Sequence, residues 1–355
     1  MTKEVSSATL ALQRAMPMSR LLDYGMDYAD ATELYARTTA GEEWDEVSEA
    51  LANVRLAQAL SAVAAGNTLT AREAQAMAIG DLLFAQMAFS FDCDRKKVLY
   101  QRLVEATTTL SHWSDGEIQR VEIPFESSKM IGWLVRPQAI PTRGTVLVFG
   151  GQSGWGIAYL SLARALARRG LATLLAEGPG QGETRLTQRV FLDVDVPSAY
   201  SRFVTFILSD SSLGEVGIWG NSMGGLWAAS TAAVDDRIRA CCINGAAAKA
   251  TVMPFRTFIE QAAAMLGSSD DSAIAENFKR MSFDPALQKI SCPLLVLHGG
   301  ADPLVNLEDQ RPFIEAGPAC DSTLKVWPDG LHTIYNHSAE RSAFVADWFV
   351  SRLAE

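Results

Sequence analysis

Apolar residues recur with two different periods along this chain, and the change falls near residue 118. Over residues 43–65, Trp44, Val47, Leu51, Val54, Ala57, Leu60 and Val63 return every three or four positions, which predicts a helix with these side chains on one face. Thr70-Ala71-Arg72-Glu73 has the form of a capping box and predicts a helix start at Thr70, followed by apolar Met77, Leu82, Leu83, Met87 and Phe89. A further helix is expected over residues 95–107, so this part reads as all-α. Beyond residue 118 the pattern becomes short β-rich runs separated by glycine turns and helical stretches. Runs at 121–125 and 130–135, joined by a polar link, predict a hairpin. Further strands are predicted at 145–149, 171–176, 215–219, 238–243, 293–297 and 323–327. Strands alternating with helices imply a mostly parallel sheet covered on both faces.

Two domains follow: a helical one over residues 1–117 and an α/β one over 118–355, with a helical insertion at about 247–287. A length of 355 residues accommodates both. Phe255, Phe258, Ile259, Ala262, Met265 and Leu266 give the insertion a broad apolar face, which either packs on the sheet or walls a pocket.

Composition narrows the function by exclusion. A net charge of −10 argues against a nucleic-acid partner, because phosphate contacts require a basic face. The five cysteines form no C-x-x-C spacing, and no H-E-x-x-H or similar ligand set occurs, so neither a disulfide framework nor a metal is expected. No run of 18 apolar residues and no signal-peptide pattern is present, which leaves a cytoplasmic protein without a membrane partner as the expectation.

The candidate chemistry centres on Gly220-Asn221-Ser222-Met223-Gly224, between the strand predicted at 215–219 and a helical pattern. A serine hydroxyl is a weak nucleophile and must be exposed beside a base. A tight strand-to-helix turn achieves this but crowds its neighbours, which glycines at 220 and 224 relieve. Of four histidines, His298 ends an apolar run and reads as a core residue, and His112 lies upstream of the sheet. His332 and His337 both follow the last strand; His332, on the turn Asp329-Gly330-Leu331-His332, is favoured as base. The carboxylate that would orient it is read as Asp302, after the strand at 293–297, ahead of Asp309, Asp321 and Asp329. The chain order Ser222, Asp302, His332 suits a nucleophile elbow on an α/β sheet.

An oxyanion needs two donors. The Met223 amide, at the start of the helix, supplies one. The loop Gly150-Gly151-Gln152-Ser153-Gly154-Trp155, after the strand at 145–149, offers the Gln152 amide as the other. Glu177-Gly178-Pro179-Gly180-Gln181-Gly182-Glu183 departs from G-x-G-x-x-G, since Glu183 and Arg185 stand where glycine would be needed, and reads as a turn beside the site. No cofactor is expected. Trp155, Tyr159, Phe255 and Phe258 are the candidate substrate contacts.

Together the GG loop with Trp155, the GPGQGE loop and the GNSMGG elbow resemble the α/β-hydrolase superfamily over about residues 118–355. The chain resembles in particular the group containing 2,6-dihydroxypseudooxynicotine hydrolase, fungal heptaketide-pigment hydrolases and the fermentation-respiration switch protein. That resemblance implies an α/β-hydrolase fold with an N-terminal helical cap domain, a Ser-His-Asp triad, hydrolysis of a carbon–carbon bond next to a ketone, and homodimerisation through the helical domain. The small-molecule substrate it implies is largely apolar or aromatic. One departure stands out: relatives commonly follow the glycine pair with a hydrophobic residue and a carboxylate, where this chain has Gln152 and Ser153. Ester, lactone or thioester hydrolysis therefore stays open, as do acyl transfer or cyclisation on the same triad and a non-catalytic binding role.

Overall fold

The computed structural model describes residues 5–192 and 195–353, and the chain divides into two compact units, Met1–Gln119 and Arg120–Glu355. Residues 1–4, 193–194 and 354–355, which fall inside the two domains expected from sequence, lie outside the described residues.

The first unit is helical: α1 (Ser7–Ala15), α2 (Met18–Asp23), α3 (Tyr28–Thr39), α4 (Trp44–Ala64), α5 (Thr68–Met87) and α6 (Asp94–Trp113). The expected apolar face of α4 is only half right. Trp44 and Val47 are buried, but Val54, Leu60 and Val63 are exposed, and the inward positions are Ser48, Ala52, Ala59 and Ala62. They face an equally small-sided α5, buried at Ala71, Ala74, Ala78 and Ala85. Small side chains let the two backbones approach closely, so the packed face follows size rather than hydrophobicity. Ser48 Oγ donates to the Asp81 carbonyl at 2.8 Å and Trp44 Nε1 to that of Phe84 at 3.2 Å. The capping box expected at Thr70 is absent: α5 begins at Thr68, directly after the positive-φ turn at Gly66 and with Asn67 as its N-cap, so Thr70 already lies in the first turn.

The second unit carries an eight-stranded sheet in the order β1-β2-β4-β3-β5-β6-β7-β8. Its strands are β1 (Ile118–Phe125), β2 (Ser128–Val135), β3 (Gly144–Phe149), β4 (Leu171–Glu177), β5 (Val216–Asn221), β6 (Ile238–Asn244), β7 (Leu294–Gly299) and β8 (Ser322–Trp327). All eight correspond to runs read from sequence. β2 pairs antiparallel with β4, and the pairings from β4 through β3 and β5 to β8 are parallel. Central strands such as Val146-Leu147-Val148-Phe149 are wholly buried, as expected when helices cover both faces.

The helices of this unit are α7 (Leu160–Ala167), α8 (Gly182–Leu186), α9 (Val196–Leu208), α10 (Met223–Ala232), α11 (Arg256–Leu266), α12 (Asp271–Arg280), α13 (Leu307–Ala316) and α14 (Ser338–Leu353). α9 packs with α10, and α7 with α14. The insertion expected at about 247–287 contains α11 and α12, whose Ala262, Met265, Ile274 and Phe278 join the core beside the sheet. Because β3 leads out to β4 on one side while β5 lies on the other, the sequence order reverses between β3 and β5. A crevice opens at such a switch point outside the carboxyl ends of the strands. Among the described residues no helix is long and apolar enough to cross a membrane.

Candidate active site

The loops after β3 and β5 meet at this switch point. Ser222 follows β5 with φ 56° and ψ −137°, a backbone region that L-residues rarely adopt, and immediately precedes α10. The glycines around it are required by contact distance. A Cβ on Gly220 would lie 2.1 Å from the Gly224 carbonyl oxygen, and one on Gly224 would lie 2.5 Å from that of Gly150. Ser222 is thereby held in a half-buried position.

His332 Nε2 lies 2.8 Å from Ser222 Oγ, and His332 Nδ1 lies 2.8 Å from Asp302 Oδ2. A carboxylate can only accept, so Nδ1 carries the proton donated to Asp302, and the Ser222 hydroxyl donates to Nε2. The Asp302 side chain is fully buried, and its other oxygen accepts from the amides of Leu304 at 2.8 Å and Val305 at 3.2 Å. These bonds fix the carboxylate plane.

Glycines also bring the Asp302 and His332 loops together. A Cβ on Gly299 would lie 2.5 Å from the carbonyl oxygens of Gly330 and Leu331, and one on Gly300 would lie 2.4 Å from that of Pro328. Backbone packs directly on backbone there. Beyond His332, Thr333 (φ 53°) and Ile334 (φ 60°) are both left-handed. Asn336 holds this bend, accepting from the Leu331 amide at 2.8 Å and donating to the Asp329 carbonyl at 2.9 Å.

Asn244, at the end of β6, was not singled out by sequence reasoning, yet it joins both loops. Its Nδ2 donates to Asn221 Oδ1 at 2.9 Å and to the Thr333 carbonyl at 3.0 Å, while its own carbonyl accepts from the Ser222 amide at 2.8 Å. Asn244 is wholly buried, and Arg341 of α14 also donates to the Thr333 carbonyl, at 2.9 Å. The Asn-Gly pair after an apolar strand was the only sequence signal available.

The glycine loop after β3 packs on the start of α10: a Cβ on Gly151 would lie 2.7 Å from the Met223 nitrogen. As the first residue of that helix, Met223 has no intrahelical carbonyl for its amide. Gln152, which follows Gly151, donates from Nε2 to the Phe258 carbonyl at 3.0 Å and accepts at its own carbonyl from Trp155 Nε1 at 3.2 Å. Trp155 and Tyr159 are buried, and the Arg185 guanidinium sits 4.7 Å from the centre of the Trp155 indole. These two rings therefore support the loop from the interior. Phe255, at the N-cap of α11, is exposed and meets Phe258 of that helix edge-on, with ring centres 5.7 Å apart.

The other histidines and carboxylates lie elsewhere. His298 is buried with Nδ1 2.8 Å from Gln310 Oε1, His112 is exposed on α6, and His337 lies 3.0 Å from Asp329. Asp309 caps α13 and Asp321 binds Arg352. Among the described residues, no group of three or more His, Cys, Asp or Glu is placed to hold a metal ion.

The architecture matches a solved structure closely. The crystal structure of 2,6-dihydroxy-pseudo-oxynicotine hydrolase superposes with a TM-score of 0.85 at 24% identity, covering 94% of this chain and 95% of that one. AbyA5 superposes with a TM-score of 0.73 at 16% identity, covering 96% and 98%. In sequence, the 2,6-dihydropseudooxynicotine hydrolase of Paenarthrobacter nicotinovorans is 26% identical over 336 residues, 93% of this chain and 89% of that protein. The family described as serine aminopeptidase S33 (Hydrolase_4) matches residues 272–339, a span that holds Asp302 and His332. The chain has the α/β-hydrolase fold. Within an α/β-hydrolase the loops after the first parallel strands, the elbow and the histidine loop share one rim of the sheet, as they do here.

Proposed function

We propose that this α/β-hydrolase cleaves a carbonyl substrate through a Ser222-His332-Asp302 triad. The observation that carries the reading is the unbroken relay of two 2.8 Å contacts from Ser222 Oγ through His332 to Asp302. In the first half-reaction Oγ attacks the carbonyl carbon as its proton passes to Nε2, and the carbonyl electrons move to oxygen. The backbone N–H groups of Met223 and Gln152 hold that oxyanion, each such donor being worth on the order of 10²–10³ in rate. Collapse re-forms the carbonyl and expels the leaving group, which takes the proton from Nε2. In the second half-reaction water attacks the acyl-serine, His332 again takes and returns the proton, and the carboxylic acid departs. Asp302 holds the tautomer and stabilises the imidazolium throughout.

The substrate class proposed is a small, largely apolar or aromatic ester, lactone or ketone-activated carbon–carbon bond. Phe255, at the N-cap of α11, and Phe258 on that helix offer apolar surface, and one relative is named 2,6-dihydropseudooxynicotine hydrolase. A carbanion leaving group requires more stabilisation than an alkoxide, and the resemblance sets Ser153 where a carboxylate is expected. Turnover of p-nitrophenyl butyrate, an aryl lactone and an aryl 1,3-diketone in H₂¹⁸O tests the reading. Ser222-dependent release of a carboxylic acid with ¹⁸O incorporation is expected for at least one of them. Turnover of these compounds that survives loss of the Ser222 hydroxyl would overturn the assignment.

Asn244 gives a second expectation. Asn244→Ala removes the donors that tie Thr333 to the elbow while leaving all three triad residues unsubstituted. Misplacement of a base by about 1 Å costs on the order of 10²-fold. Steady-state kinetics should therefore show kcat reduced by roughly 10–100-fold with little change in KM; an unchanged kcat would show that the two loops hold their register without this amide.

A further inference from the structure

We infer that Gln181 is a positioning residue for the oxyanion donor, selecting the peptide orientation that points the Gln152 N–H at the substrate. The inference rests on the proposed triad reading and extends it to a residue that touches neither substrate nor triad.

Gln181 lies in the loop after β4, is wholly buried, and has every polar position of its amide engaged. Nε2 donates to the Gly150 carbonyl at 2.7 Å and to the Gly151 carbonyl at 2.9 Å. Oε1 accepts from the Gly178 amide at 3.0 Å and from the Tyr200 hydroxyl at 3.3 Å. Two donors and two acceptor sites are all the group possesses. The opposite amide orientation would place its oxygen against two carbonyl oxygens, so only one is compatible with the surroundings. Tyr200 is itself fixed, stacked on Phe149 with ring centres 3.9 Å apart.

The consequence follows from peptide geometry. In a trans peptide the C=O and the following N–H share one plane and point in opposite directions. A Gly151 carbonyl held towards Gln181 therefore points the Gln152 N–H in the opposite direction within that plane. The Gly150 carbonyl, held likewise, turns the Gly151 N–H away as well. Enforcement is needed because Gly150 and Gly151 lack the side chains that restrict rotation elsewhere. A flipped Gly151–Gln152 peptide would present a carbonyl oxygen to the developing negative charge and repel it. The hydrogen bond to the Gly151 carbonyl also polarises the peptide and strengthens its N–H as a donor.

The test is the rate at which a fluorophosphonate modifies Ser222, because phosphonylation passes through an oxyanion without requiring the natural substrate. The reaction is followed in wild type, Gln181→Met and Gln181→Glu, with saturating rate (kinact) separated from half-saturation (KI). Gln181→Met keeps the shape and removes both donors. Its kinact is expected to fall about 10²-fold, the loss of one oxyanion donor, with KI within about twofold. A folded Gln181→Met chain with unchanged kinact, or with an effect confined to KI, would overturn the inference. Gln181→Glu supplies a readout that a purely structural role would not move. Its carboxylate opposes the two carbonyls, whereas its protonated form regains one donor, so kinact relative to wild type at the same pH should rise as pH falls. A ratio flat with pH in this variant overturns the inference even if Gln181→Met fails to fold. Wild-type protein that takes no label at Ser222 removes the triad reading and this inference together; normal labelling that is indifferent to position 181 removes only this one.

Discussion

Ser222→Ala is expected to lower turnover by on the order of 10⁶-fold while leaving circular dichroism and thermal unfolding close to wild type. The size follows from the shared proton path. Without Oγ there is no covalent intermediate, and His332 and Asp302 have nothing to activate. His332→Ala should cost a similar factor, because an unactivated hydroxyl is nearly as inert as none. The double variant should then be no worse than either single one, since the residues act as a unit. Asp302→Asn should cost about 10⁴-fold, by favouring the tautomer in which Nε2 is protonated and cannot accept from Ser222. Effects that simply multiplied across the three positions, read from steady-state kcat/KM, would contradict a relay.

The second large effect concerns stability and lies in the helical unit. Asp81 of α5 is wholly buried, and among the described residues neither carboxylate oxygen has a hydrogen-bond partner. Burial, reinforced by the nearby carboxylates of Asp30 and Asp27 and opposed by Arg55, pushes its pKa from 3.8 to about 8. The folded chain thus binds a proton there that the unfolded chain has lost, over the window from about pH 4 to about pH 8. Stability attributable to this group falls as pH rises through that window, and the full cost is present above it. Asp81→Asn removes the ionisation. Its stabilisation relative to wild type should be small near pH 4 and grow to several kcal/mol, on the order of 5, at pH 8.5. Urea unfolding at the two pH values measures the difference. A gap independent of pH would show that Asp81 does not titrate in this window.

The strands were legible in the sequence because a parallel sheet covered on both faces needs unbroken apolar runs, such as residues 146–149 and 294–297, and few other structures do. The candidates for the proposed triad could be read for a different reason. An elbow, a glycine-turn aspartate and a late histidine each carry local sequence signals, and their chain order is restrictive. The helical unit was less transparent. The face of α4 followed side-chain size, with Ala52, Ala59 and Ala62 inside and the larger Val54, Leu60 and Val63 outside. A periodicity of hydrophobic residues cannot reveal that inversion.

The supporting residues were hidden because their partners are remote along the chain. Gln181 binds carbonyls 30 and 31 residues away, and Asn244 binds one 89 residues away. Gln181 could be recognised as part of a turn beside the site, but its contacts exist only once β3 and β4 have paired. Asn244 looked like an ordinary strand end. Trp155 and Tyr159, read as candidate substrate contacts, lie buried behind the glycine loop, where large rings fill the volume its glycines leave.

The central claim is that the hydroxyl at position 222 is activated by the imidazole at 332. It is tested most directly by mass spectrometry of the intact protein and its peptides after brief exposure to a fluorophosphonate. The relay predicts one adduct per chain, located on Ser222, formed rapidly in wild type and slowed by several orders of magnitude in His332→Ala. An adduct on another residue, or one on Ser222 forming equally fast without His332, would contradict it.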